Sequence, residues 1–183
     1  APTQLPWHYT PVWILVTTPL LYSFFTLAGL FYTVKRLITT RLVLREFADR
    51  FDLLMISWFL IPMIVVAVMH SVLYSGWRHM FFIYPAMLAL TVTGIKLFSE
   101  TIYAGFKTIL PRLMPAFTVT ISLLGTLAAM VIDHPYESMY FTILAGENLR
   151  AARYRYGLDF YGLCAKESLD YLLENADDYY FSV

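Results

Sequence analysis

An arginine followed by a histidine stands near the middle of the chain, in Trp77-Arg78-His79. The guanidinium offers a planar fork of donors that matches phosphate oxygens, and the imidazole beside it can gain or lose charge near neutral pH. Held at the rim of a bilayer, Arg78 and His79 would sit at the depth of lipid headgroup phosphates. Two further polar and aromatic clusters are Pro6-Trp7-His8-Tyr9 and His134-Pro135-Tyr136. Trp7, His8, Tyr9, Trp77, His134 and Tyr136 could together line a polar pocket at a membrane surface. The plainer reading makes each of them an interfacial anchor, with Arg78 snorkelling to water and Trp77 part of an aromatic belt. His70 reads as a packed interior histidine near the end of a span rather than a ligand. Asp133 and Glu137 fall one helical turn apart, spacing that suits either shared acid-base work or two solvated carboxylates. There is no Gly-rich phosphate loop, no Ser-His-Asp arrangement, no Asp-x-Asp pair and no Cys/His spacing for zinc, so the residues suggest no metal, no cofactor, no nucleophile and no general base.

The elements that must position these residues are hydrocarbon-soluble. Of 183 residues, 59% are hydrophobic and 14% charged, too apolar for a water-soluble domain of this length. Formal net charge is zero, so no global basic field exists to attract nucleic acid. The single cysteine, Cys164, cannot form an internal disulfide.

A helix needs about 20 apolar residues to cross the hydrocarbon core. Four stretches qualify: residues 11–34, 53–73, 80–98 and 116–132. Between the first two, Leu44, Phe47 and Phe51 fall at helical spacing opposite Arg45, Glu46, Asp49 and Arg50, the pattern of an interfacial helix. Pro62 lies inside the second span, where a membrane helix accommodates it as a kink. The turn Tyr74 to His79 links spans two and three, and residues 99–115, punctuated by Pro111 and Pro115, link three and four. In the tail, 133–183, Leu169, Leu172 and Leu173 share one face of a predicted helix over 165–175, and Tyr179 to Val183 has the composition of a strand. The expected fold class is an α-helical membrane protein with about four transmembrane helices and a small, truncated extracytoplasmic α/β tail.

Basic residues flanking spans are retained on the cytoplasmic side. Lys35, Arg36, Arg41, Arg45 and Arg50 lie between spans one and two, and Lys107 and Arg112 between three and four, whereas the two–three turn holds Arg78. Both termini, that turn and the tail are therefore expected outside. Ala28 and Gly29 in span one, and Gly125, Ala128 and Ala129 in span four, are candidate close-packing positions.

Four segments in order, LPWHYTPVWILVTTPL (Leu5 to Leu20), YSGWRHMFFIYP (Tyr74 to Pro85), HPYESMYF (His134 to Phe141) and YGLDFYGLCAKESLDYL (Tyr156 to Leu172), resemble the C-terminal half of bacterial membrane glycosyltransferases of the GT-C type. These use a polyprenyl-phosphate-linked sugar and are related to protein O-mannosyltransferases and lipid A aminoarabinose transferases. Ser75 stands where that family carries an acidic or amide residue, and Thr142 where it carries Asn. The resemblance implies a protein of the bacterial cytoplasmic (inner) membrane. Its partners would be membrane lipid, a polyprenyl-phosphate-sugar bound through its phosphate at the outer face, and a missing N-terminal transmembrane half. The catalytic base, an Asp in the family's first outer loop, would lie upstream of Ala1, leaving this segment catalytically incomplete alone. The competing expectation is a non-enzymatic four-span scaffold or transporter subunit whose outward domain binds a protein partner.

Overall fold

The computed structural model describes residues 6–40, 46–71, 73, 76–105, 108–132, 134, 140–146, 152, 156 and 163–175. Its helices are α1 (Tyr9–Thr17), α2 (Leu20–Thr39), α3 (Phe47–Val68), a 3-10 turn (Arg78–Ile83) that runs into α4 (Tyr84–Gly105), α5 (Ile109–Arg112), α6 (Met114–Ile132) and α7 (Leu163–Asn175). No strand occurs among the described residues, and the strand expected at 179–183 lies outside them. Among the described residues, three helices are long and apolar enough to cross a membrane: Phe47–Val68, Arg78–Gly105 and Met114–Ile132. The chain is an α-helical membrane protein.

Several expected boundaries move, each for a local reason. The stretch 11–34 is divided between α1 and α2. Pro19 has no N–H to continue the ladder and drives its predecessor out of helical geometry, and Thr18 is extended at φ −118°, ψ 136°. α2 does not reach the apolarity of the three spanning helices, and its last turns carry Lys35 and Arg36. Residues 47–52, expected in an interfacial helix, form the first turns of α3, and α3 continues through Pro62 to Val68. The span expected from Met80 starts two residues earlier in the 3-10 turn and runs to Gly105, well beyond Phe98. Much of the linker expected over 99–115 is thus helical.

His70 lies beyond α3 rather than inside a span. It is exposed, with φ +48°. The Ser71 N–H donates to the Val66 carbonyl at 3.2 Å, and the Met69 N–H to the Val65 carbonyl at 2.9 Å. This is a Schellman-type ending in which His70 occupies the left-handed position usually given to glycine. The end of α3 is therefore closed by backbone geometry, and the imidazole is not packed in the interior.

α4 is the central element. Ala86, Met87 and Leu90 are buried on it and Ile83 on the turn before it, together with Phe25 and Leu37 of α2 and Met55, Ile56 and Phe59 of α3. Between apolar helices in a bilayer there is no hydrophobic driving force, so close van der Waals packing must hold them together. A Cβ on Gly29 would collide with the Leu90 carbonyl, and one on Gly94 with the Phe25 carbonyl. The two glycines thus let the α2 and α4 backbones touch. Thr26 and Thr91 join their hydroxyls at 2.7 Å across the same seam. Each hydroxyl also lies close to a carbonyl one turn back, Tyr22 at 2.9 Å and Met87 at 2.8 Å. With one hydrogen each, one threonine donates to the backbone and accepts from its partner. The rings of Tyr22 and Tyr84 stack at 5.9 Å. The pairings Tyr22 with Tyr84, Thr26 with Thr91 and Gly29 with Gly94 rise together in number, so α2 and α4 run parallel, as one intervening helix, α3, requires.

At the far end of the bundle, Arg36 of α2 pairs with two carboxylates of α3, Asp52 at 2.6 Å and Asp49 at 3.2 Å. Their side chains are 33%, 17% and 15% exposed respectively. This half-buried pairing explains why charged residues are tolerated where the first turns of α3 extend the apolar helix. α6 is different: most of its residues are exposed, and a Cβ on Gly125 would meet nothing within 4 Å. Of the small residues singled out from the sequence, Gly29 is at a helix crossing and Gly125 is not.

Candidate functional site

The opposite end of the bundle gathers three segments that are distant in sequence. α1 supplies Trp13 and Thr17, the connection before α4 supplies Gly76 and Trp77, and the tail supplies Phe141, Thr142 and Tyr156. Gly76 has φ +70°, and a Cβ there would approach the Trp13 ring at 2.9 Å. Both backbone conformation and space therefore require glycine. Trp77 is 5% exposed, and its indole N–H donates to the Thr17 hydroxyl at 2.9 Å. That hydroxyl in turn donates to the Trp13 carbonyl at 2.7 Å. A buried indole N–H must find an acceptor, and this one has it.

The tail docks on the break in α1. In an unbroken helix the Leu15 carbonyl would accept from residue 19, but proline has no N–H, and the turn away at Thr18 also releases the Val16 carbonyl. Thr142 takes both: its N–H donates to the Val16 carbonyl at 2.7 Å, and its hydroxyl to the Leu15 carbonyl at 3.4 Å. Around this contact Trp13 meets Tyr156 edge-on at 5.2 Å and Phe141 at 6.0 Å, and the Tyr9 ring lies 5.9 Å from Trp13. Burial pushes the Tyr9 phenol above its usual range, against the opposing pull of the Gly76 backbone and the Trp13 side chain. The phenol is a neutral hydroxyl at physiological pH.

Arg78 and His79 begin the helical run that becomes α4. Arg78 is half-buried and His79 exposed. The Met80 N–H donates back to the Trp77 carbonyl at 2.7 Å, so the backbone turns helical directly at Arg78. A helix start carries partial positive charge, which adds to that of the guanidinium. No protein-family model, curated protein or solved structure matches the chain. What this end of the molecule can do is therefore read from its own side chains.

The candidate residues divide. Trp77 is a packing residue wedged between α1 and the start of α4. Tyr9 is partly buried against Trp13. Trp7 and His8 point away from the packed cluster: both are exposed, Trp7 at 74%, with their rings edge-to-face at 5.4 Å. His134 is exposed, while Tyr136, Asp133 and Glu137 lie outside the described residues. Among the described residues no three His, Cys, Asp or Glu side chains gather as metal ligands would.

Three residues central to this end, Thr17, Thr142 and Trp13, were not singled out by residue chemistry. The signal for Thr17 lies in Thr17-Thr18-Pro19, because a Thr-Pro step inside an apolar run disfavours helical geometry at the threonine and so marks a helix boundary. Thr142 carries no local signal, since its role depends on carbonyls freed 126 residues earlier, counting from Val16.

Proposed function

We propose that this segment belongs to a membrane glycosyltransferase that moves a sugar from a polyprenyl-phosphate carrier to an acceptor hydroxyl at the outer face of the bacterial cytoplasmic membrane. In this reading Arg78, assisted by His79, holds the carrier phosphate. The observation that carries it is the placement of Arg78: half-buried, on the first residue of a helical run 28 residues long, at the end where residues of the four resembling segments meet. As the glycosidic bond breaks, negative charge grows on the departing phosphate. A guanidinium carried at a helix start would stabilise that charge, the partial positive charge of the helix end adding to its own. Trp77, Met80 and Ile83 of the same stretch are buried, and an apolar surrounding of this kind strengthens a charge interaction beside it. The donor phosphate would thus lie at the membrane surface with its isoprenoid chain in the bilayer, and the base would come from the upstream half.

The test is Arg78→Ala in the complete protein, reconstituted in nanodiscs. Sugar transfer should fall about a hundred-fold, and affinity for farnesyl phosphate ten-fold or more, with no loss of folded material. Inorganic phosphate should bind far more weakly than farnesyl phosphate, because the chain supplies apolar contact. Unchanged transfer and unchanged farnesyl phosphate affinity would remove Arg78 from the mechanism and favour the scaffold reading.

A further inference from the structure

We infer that Thr17 is the positioning residue for Arg78, acting through Trp77, and that Thr142 holds α1 where Thr17 can do so. The inference rests on the carrier-phosphate reading of Arg78 and adds to it how the guanidinium is aimed.

The chain of contacts is continuous. The Thr17 hydroxyl spends its one hydrogen on the Trp13 carbonyl, which orients its lone pairs, and it accepts the Trp77 indole N–H. Trp77 is the residue immediately before Arg78 and the cap of the 3-10 turn, with φ −109° and ψ 18°. With its ring fixed at one side by Thr17 and packed edge-on against Phe81 at 5.0 Å, Trp77 has little freedom to rotate. The direction in which the chain enters Arg78 is then set. α1 is itself held from outside, because the two carbonyls freed by the Pro19 break are engaged by the N–H and hydroxyl of Thr142. The tail and the phosphate-facing turn are thus joined through one short helix, with threonine hydroxyls at both joints.

The geometry does not demand threonine for packing at position 17, where valine has nearly the same shape. What valine lacks is the acceptor for a buried indole N–H. In the complete protein in nanodiscs, Thr17→Val should lower farnesyl phosphate affinity about five-fold, the effect of one neutral hydrogen bond. Thr17→Ser, which restores the hydroxyl, should return it to within two-fold, roughly the scatter of such measurements. Trp77→Phe, which removes the donor but keeps a ring, should give a similar loss. The two losses should not add in the Thr17→Val, Trp77→Phe double variant, because both delete one interaction.

Arg78→Ala is run in parallel. If it weakens binding ten-fold or more while Thr17→Val and Trp77→Phe leave affinity unchanged, or if their effects simply add, the positioning role is overturned and the phosphate reading stands. If Arg78→Ala leaves binding intact, the phosphate reading fails and the inference with it. Should Thr17→Val not yield folded protein, the result is decided by Trp77→Phe alone: normal affinity there overturns the proposal.

Discussion

A single non-glycine residue with positive φ among the described residues, His70, shows how little chemistry a histidine in an apolar sequence need carry. Its position beyond α3 is a backbone requirement: the left-handed residue lets the Ser71 N–H reach the Val66 carbonyl. A side chain there costs about 1–2 kcal/mol in steric strain, partly offset because glycine loses more freedom on folding. His70→Gly should therefore stabilise the protein by about 0.5–1 kcal/mol. Thermal unfolding in detergent would register this as a higher midpoint, and a lower midpoint would mean that the imidazole makes a contact worth more than the strain. Gly76 presents the opposite case, where the left-handed residue is already glycine and the Trp13 ring fills the space a side chain would need. Neither residue's conformation follows from its identity, because each is set by where the preceding helix stops and what packs beside it.

Among helices, small residues matter only where backbones meet. Gly29 and Gly94 occupy the α2–α4 crossing, and the neighbouring atoms are main-chain carbonyls and amides that cannot swing aside. Gly29→Val should destabilise the bundle by about 2 kcal/mol or more through overpacking. Gly125→Ala, on the exposed face of α6, should instead stabilise the protein by about 0.5–1 kcal/mol, since nothing lies near the added methyl and alanine loses less backbone freedom in a helix. Parallel unfolding measurements on the two variants check both, and equal effects would contradict the crossing geometry. Pro19 acts at the same scale but through missing hydrogen bonds. An apolar run long enough to cross a membrane is divided because one residue cannot donate, and the carbonyls this releases become the dock for Thr142.

Across the molecule, the parallel course of α2 and α4 places the Trp77 cluster at one end and the Arg36 ion pairs at the other. If the Trp77 end faces outward, as the distribution of lysine and arginine implies, a cysteine introduced by His79→Cys should react with a membrane-impermeant maleimide in intact cells. Thr39→Cys should react only after the membrane is opened. Both are exposed positions at opposite ends of the bundle, and Cys164→Ser removes the native thiol for the comparison. The reverse labelling pattern would overturn the sidedness and with it the outer-face phosphate site.

The sequence by itself determined that the chain is largely helical and apolar enough to enter a membrane, and three of its apolar stretches overlap helices long enough to span one, with half of their ends displaced by five to seven residues, because a bilayer admits long apolar helices and few alternatives. It also marked Arg78 and His79, since charged side chains in so apolar a chain are conspicuous. Only the tertiary structure decided that the first apolar stretch is two helices, that Gly29 meets Gly94, and that Thr17, Trp77 and Thr142 form one contact path. Those facts depend on which carbonyls are left unpaired and which backbones approach closely. Residue order does not encode them locally, because donors and acceptors 60 and more positions apart must first be brought together by the helices between them.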